Sequence, residues 1–479
     1  MAATNQPAEP ANISPLATPP EKIDESPSYG LRRATLSPME TLAQSVSTIA
    51  PTATPVATIP LVCALAGNGT WLAYVLATAA ILLVAWCVGR FARYSSSPGS
   101  LYSYASMILP PWLSAVAAWS LFLAYVGTGA SVLGGFFHYA NIMLRDITGH
   151  QASAVLLATI VTAVSMWITW RDVKISARLM LWIEAVSVTT IVIVVALVLA
   201  RHGLHGDPDQ FQLRGMTGSG LRLGLVLALF SFVGFESATT LGAEARDPLK
   251  TIPRAVLQSS LLGGAFFALS AYTEVLGFRM AGQDLATSDA PFRVLAAVGR
   301  MPSLSILIDI GAVVSMFAGM LACITAAARV LLLMAHNGLA HGSLRKTHAR
   351  NETPGAAIIV ASLTAFIPVA ILAARGSSGL DIYGWMGALA TYGFIVTYGL
   401  VCFALPRYLR DHHGIVNAAT KTIPWLACTA MLLALVGNLY PVPEGPYGKL
   451  PYIYLAYLAV VMVAFLFASR GARTAPRES

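Results

Sequence analysis

The sequence predicts an all-α integral membrane protein of about twelve transmembrane helices, and three observations predict it. Of 479 residues, 56% are hydrophobic and only 11% charged, with a mean hydropathy of +0.68. Soluble domains carry about a quarter charged residues, so water is not the main solvent for this surface. Apolar stretches of about 20 residues, the length a bilayer-spanning helix requires, recur along nearly the whole chain. The five cysteines (Cys63, Cys87, Cys323, Cys402 and Cys428) lie inside these stretches and give neither a disulfide framework nor a metal-type spacing.

Residues 1–38 are rich in Pro, Ala, Ser and Thr and lack the apolar core of a signal peptide. They read as a disordered cytoplasmic tail, too polar to bury a core. A hydropathy window of about 19 residues then places spans at 47–66, 71–92, 113–141, 153–170, 178–200, 221–242, 255–278, 303–334, 355–374, 383–404, 423–440 and 451–469. The third and eighth are long enough to tilt or kink. Only Gly67-Asn68-Gly69-Thr70 separates the first two, which forces a tight hairpin. Residues 471–479 read as a second cytoplasmic tail.

Twelve spans put both termini on one side of the membrane. With that side inside, the inner segments hold 21 of the 30 basic residues, so the positive-inside rule predicts cytoplasmic termini in a cell inner (plasma) membrane. Topology thereby accounts for the net charge of +8. No basic stretch is interleaved with aromatics, so the bilayer, not nucleic acid, is the expected partner.

Lipid cannot satisfy freed backbone groups, so a membrane helix normally runs unbroken. Two spans invite a break. The first contains Ala50-Pro51-Thr52-Ala53-Thr54-Pro55, and each proline removes a donor and crowds the carbonyl four residues back. The sixth contains Phe230-Ser-Phe-Val-Gly-Phe-Glu236, with a glycine and a carboxylate inside an apolar run. Each opens a block of five spans, and interruptions at matching positions of two halves point to an inverted repeat with a binding site between them. A broken helix shows N–H groups on one side and carbonyls on the other, the two partners a zwitterion needs. The plainer alternative is that the prolines only kink the first span and Gly234 only permits close helix approach.

The segment from Phe230 to Val256, with its Gly-Phe-Glu core and its Glu-Ala-Arg-Asp-Pro-Leu-Lys-Thr-Ile-Pro-Arg-Ala run, closely resembles the amino acid–polyamine–organocation permeases. So do Tyr272–Phe278, Ser97–Tyr104 before the third span, Ala326–Gly338 closing the eighth, and Thr353-Pro354 before the ninth. The resemblance implies five-plus-five inverted-repeat architecture with broken helices one and six and two extra C-terminal helices. It places a transporter domain at 39–470, with repeats at about 39–200 and 215–404 and helices eleven and twelve within about 423–469. It further implies alternating access around a central substrate site. Ala50, Pro51, Thr52, Ala53 and Thr54 would form the first break. Phe230 would shield the substrate from one side. Phe232, Val233 and Gly234 would supply backbone to the second break, and Glu236 would stand just beyond it. The sequence departs from the family where Pro51 and Pro55 replace small residues with usable amides, leaving Thr52 and Thr54 as candidate hydroxyl partners. Some proton-coupled relatives carry a lysine in span five; here Glu184 is the nearest ionisable group, and Ser187 is a candidate for the lysine's place.

A carboxylate near the bilayer centre costs several kcal/mol unless paired or protonated. Glu236 is therefore expected either to bind and release a proton or to hold the unwound geometry through free amides. Glu184 has two readings, a proton or cation ligand or a solvated residue of the inner vestibule. Glu274 is expected to cap a helix interaction near the outer face, Asp309 to line the outer vestibule, and Arg329 to snorkel to the surface or pair with an acid. Histidines 336, 341, 348, 412 and 413 read as solvated surface; no metal site, cofactor or catalytic residue is predicted.

The expected activity is secondary active transport of an amino acid or related amine, coupled to protons, with exchange of amino acids or polyamines as the alternative. A membrane enzyme or a channel is more distant. The chain lacks a Gly-x-Ser-x-Gly turn, a nucleotide loop and filter-like charge rings. Sodium wants several neighbouring oxygens, and Ser315 and Thr325 of span eight stand about 15 Å apart along the helix. The pattern leaves oligomeric state open.

Overall fold

The computed structural model describes residues 29–171, 173–203, 205–440, 442 and 445–474. Positions 1–28 and 475–479 of the two expected tails lie outside the described residues. In chain order the helices are α1 (Pro38–Ile49), α2 (Ile59–Ala66), α3 (Thr70–Ala92), α4 (Ser100–Ser106), α5 (Pro111–Thr148), α6 (Ala154–Arg171), α7 (Val173–His202) and α8 (Pro208–Phe211). They continue as α9 (Gly218–Phe230), α10 (Pro248–Ala281), α11 (Pro291–Val298), α12 (Leu304–His336), α13 (Gly355–Ala374), α14 (Gly379–His413), α15 (Ala418–Leu439) and α16 (Leu450–Thr474). Among the described residues there is no strand, only one isolated bridge, Leu36 with Ala245.

Ten helical segments among the described residues are long and apolar enough to cross a membrane. The first, Pro38–Ala92, holds the first two expected spans and turns at Gly67, whose φ is 53°. The expected sixth span is split, and its helical part, Gly218–Phe230, is short. With these two counted, every expected span has its helix. The third and eighth, α5 and α12, are long at 38 and 33 residues.

α5, α12 and α14 form the centre. α5 and α14 approach closely enough that a Cβ at Gly134 would lie 2.9 Å from the Gly379 carbonyl, and one at Gly379 would lie 2.6 Å from the Gly134 carbonyl. Small residues are what allow backbones to meet this way in a membrane. α6, α15 and α16 form part of the rim, where Trp167, Leu433 and Val460 are exposed. An exposed apolar surface of that kind suits hydrocarbon.

One expectation changes at the start of the chain. Residues 29–37, assigned to the disordered tail, are ordered against the bundle. Leu31 and Leu36 are buried, and the Thr35 and Leu36 amides donate to the Glu244 carbonyl at 2.8 and 2.9 Å. Burial of two leucines and backbone pairing offset the entropy of ordering the segment. Ser37 then caps α1 in a capping box with Glu40.

Candidate functional site

The first break forms where the prolines predict it. α1 ends at Ile49, and Ala50 adopts a left-handed conformation (φ 48°, ψ 65°) with its N–H turned back to Ser47 and Val46. Pro51 and Thr52 lie in the turn, and the helix resumes as a π-helical turn, Thr54–Thr58, before α2. Pro60 has no N–H to give the Val56 carbonyl, its partner in an α-helix. The Tyr139 hydroxyl of α5 donates to that carbonyl instead, at 2.7 Å. Loss of a local donor is thus answered by a buried phenol from another helix.

The second break begins after Phe230. Phe232, Val233, Phe235 and Ser237 donate to carbonyls three residues back, and a 3-10 turn, Ser237–Leu241, follows. Gly234 is needed at its place: φ is 92°, and a Cβ would collide with Thr48 of α1. The two breaks therefore touch. Thr48 and Ser237 share a hydroxyl bond of 2.8 Å, and the Ala238 amide donates to Ser45 at 3.0 Å.

Glu236, wholly buried, is bound at both oxygens. Tyr125 of α5 donates to Oε1 at 2.8 Å and Tyr398 of α14 to Oε2 at 2.6 Å. This arrangement ties the second break to two central helices. Besides the two tyrosines, the backbone amides of Gly234 and Glu236 in the broken segment also approach this carboxyl, the partners the sequence suggested.

Glu184 is not solvated. Its carboxyl is buried, Ser315 of α12 donates to Oε1 at 2.6 Å, and Oε2 has no donor among the described residues. The Thr52 hydroxyl, also close to Glu184, donates to Ser187 at 2.7 Å. The first break, α7 and α12 thus share a cluster of three hydroxyls and a carboxyl. Thr54 is buried at the start of the π-helical turn, and Ala50 and Ala53 are buried beside it.

At the end of the bundle that carries the start of α1, Arg329 and Glu244 form a buried, two-pronged ion pair, with bonds of 2.7 and 2.8 Å. Arg329 therefore pairs with an acid rather than snorkelling. At the opposite end, Phe230 packs against Tyr383 (centroids 5.6 Å apart), whose hydroxyl meets Thr58 at 2.7 Å. Asp309 does not line an open vestibule; it is buried and held by Arg293 of α11, which also reaches Asp146. Glu274 caps nothing: both its oxygens are buried without a donor among the described residues.

Of the predicted residues, the structure joins the Ala50–Thr54 run, Phe230–Gly234 and Glu236 through the contact of the two breaks, with Glu184 attached through Thr52 and Ser187. Sequence reasoning did not select Tyr125, Tyr139, Tyr383, Tyr398 or Ser315 for the site. Their signal was faint, since a tyrosine on an apolar helix usually marks packing or an interface. No group of three or more potential metal ligands occurs among the described residues.

A profile described as amino acid permease matches residues 41–470, a range that contains both breaks and both carboxyls. The chain is 26% identical to a branched-chain amino acid permease of Bacillus subtilis, over 60% of this chain and 64% of that protein. It is 27% identical to a methylthioribose transporter of the same organism, over 77% and 79%. It is 30% identical to an uncharacterized transporter of Mycobacterium tuberculosis, over 70% and 71%.

Proposed function

We propose that this chain, which belongs to the amino acid permease family, moves neutral amino acids with apolar side chains across the plasma membrane by alternating access, driven by protons. The observation that carries the substrate class is the capping of Glu236. With Tyr125 and Tyr398 on its two oxygens, the carboxylate beside the breaks is already engaged and does not invite a cationic side chain. The branched-chain amino acids named for the Bacillus subtilis relative agree with that reading. The two breaks would bind the backbone of the substrate, carboxylate and ammonium at opposite helix ends.

Glu184 is the proposed coupling carboxyl. It joins the broken first span to α7 and α12 through Thr52, Ser187 and Ser315, the elements whose relative motion alternating access requires. Two of the three hydroxyls are spent on bonds within the cluster, which favours a proton over a sodium ion seeking several oxygens. The Glu244–Arg329 pair would part when the path opens toward the N-terminal side, and Phe230 and Tyr383 when it opens toward the other.

The test is leucine and lysine uptake into liposomes under an imposed pH step or sodium step. Leucine accumulation on the pH step is expected, lost in Glu184→Gln while leucine–leucine exchange survives. Accumulation driven only by sodium overturns proton coupling. Preference for lysine overturns the substrate class, and uptake only into preloaded vesicles makes the protein an exchanger.

A further inference from the structure

A cavity of about 220 Å³ lies between α1, α7 and α10, lined by Ile49, Pro51, Ala185, Leu262 and Phe266 among others, with Glu184 in its wall. Its lining is almost wholly apolar, and Ala185 and Leu262 at its margin are exposed. Glu184 lies six residues inside the expected span 178–200, so the cavity sits about 9 Å within one edge of a hydrocarbon core of roughly 30 Å. A margin of exposed apolar residues at that depth opens to lipid, not to water. Of the two polar side chains in the lining, Ser259 directs its hydroxyl to the Val256 and Phe235 carbonyls. The other, Glu184, keeps Oε2 without a donor among the described residues.

We propose that this cavity is a lipid-side binding site for a small apolar amine, with the hydrocarbon body against Ile49, Leu262 and Phe266 and the nitrogen donating to Glu184 Oε2. The occupant follows from complementarity. A buried acceptor without a donor is an unmet demand of about 1–3 kcal/mol, and the apolar wall admits only a ligand that is itself apolar apart from one donor. An alkane lacks the donor, a carboxylate brings a second negative charge, and an alcohol offers a neutral donor about half as strong as an ammonium's. The volume is below the roughly 300–1,000 Å³ of drug-sized sites, so one ring or a short chain fits and a whole lipid does not. The site shares Pro51 and Glu184 with the first break and the coupling cluster but opens on their lipid side, and its test does not depend on the coupling role of Glu184, because it reads a mass and not transport.

Purified protein in phosphatidylcholine liposomes would be treated with dicyclohexylcarbodiimide or with a water-soluble carbodiimide, and the peptide containing Glu184 weighed. The carboxyl oxygen adds to the central carbon of the carbodiimide while the carboxyl proton goes to a nitrogen. The acyl group then migrates from oxygen to nitrogen, giving a stable N-acylurea with nothing lost. At least tenfold more labelling by the apolar reagent is expected, with protection by N,N-dimethylhexylamine, a tertiary amine that forms no stable amide with the activated carboxyl, and none by hexane. Ala185→Phe, which narrows the mouth, should cut labelling at least tenfold at unchanged melting temperature. If that variant does not fold, Leu262→Trp serves on the opposite wall. Equal labelling by both reagents would show a water-facing carboxyl and overturn the proposal, as would absence of labelling in folded protein. Protection by hexane as good as that by N,N-dimethylhexylamine would also overturn it, since the carboxyl would then contribute nothing to recognition.

Discussion

The Thr52 hydroxyl donates to Ser187 across 2.7 Å, so the broken first span is fastened to α7 by a side chain that the sequence marked for substrate. In Thr52→Val the Ser187 hydroxyl loses its buried donor, and in Ser187→Ala the Thr52 donor loses its acceptor. Each variant should lose about 1–3 kcal/mol of stability. The double variant should lose less than the sum, because both orphaned groups are gone. Because Thr52 is turned toward α7, substrate affinity in Thr52→Val should change less than about threefold, or roughly 0.65 kcal/mol. Thermal unfolding and equilibrium binding of leucine measure the two quantities. A tenfold weaker affinity would return Thr52 to the substrate.

Tyr125 and Tyr398 hold the two oxygens of Glu236, and each phenol is a donor to a group suited to carry charge. Removal of one hydroxyl, Tyr125→Phe or Tyr398→Phe, should cost about 1.5–3 kcal/mol, the range for hydrogen bonds to charged groups. If Glu236 were instead a proton carrier with a structural role of little weight, both variants would unfold at the temperature of the parent protein and only the pH dependence of uptake would move.

The breaks could be foreseen from particular residues and their partners could not. Pro51, Pro55 and Pro60 announce missing donors, and Gly234 with Glu236 inside an apolar run marks a second interruption, while the φ of 92° that bars a side chain there is seen only in the fold. Such signals are local, a matter of one residue's own φ and its own amide. The Tyr139 bond to the Val56 carbonyl and the Ser315 bond to Glu184 join positions 83 and 131 apart in the chain. Hydropathy carries no information about such distances, and a serine in α12 looks the same whether or not a carboxyl faces it. Glu184 shows the limit well. Its position in span five was plain, yet whether it met water or Ser315 depended on how α7 and α12 pack.

Charge asymmetry makes a prediction about orientation. With 21 of 30 basic residues on the side of the termini, a reporter fused at Ser479 should be active in the cytoplasm and one in the 201–220 loop outside it. An outward C-terminus would invert every assignment of inner and outer face.

At Gly234 the second break should tolerate no side chain. Gly234→Ala places a Cβ against Thr48 at a φ of 92° and should cost at least 1–3 kcal/mol, by backbone strain and by collision. Thr48→Ser keeps the hydroxyl that meets Ser237 and removes the methyl the new Cβ would strike. Some stability should therefore return in the double variant, although the strain in φ remains. A double variant no better than Gly234→Ala, by thermal unfolding, would show that the cost is backbone conformation alone.

The pair of Arg329 and Glu244 gives the sharpest contrast between single and double changes. Both side chains are about 1% exposed, so either one left alone is an uncompensated charge in a dry interior. Breaking such a pair from one side costs about 3–5 kcal/mol, whereas replacing both members by apolar residues of similar volume is often neutral or stabilising. Arg329→Met and Glu244→Leu should each lower the melting temperature sharply, and the double variant should recover most of the loss. The recovery need not extend to transport. The Glu244 backbone carbonyl already holds Thr35 and Leu36 at 2.8 and 2.9 Å, and those bonds survive the double change. The side-chain pair is then the part of this closure that can be made and broken without unfolding the segment. A double variant that is stable, and whose Leu36→Cys derivative reacts faster with a water-soluble maleimide than the same derivative of the parent, would identify the pair as a latch. Equal reaction rates at equal stability would leave it a structural bridge.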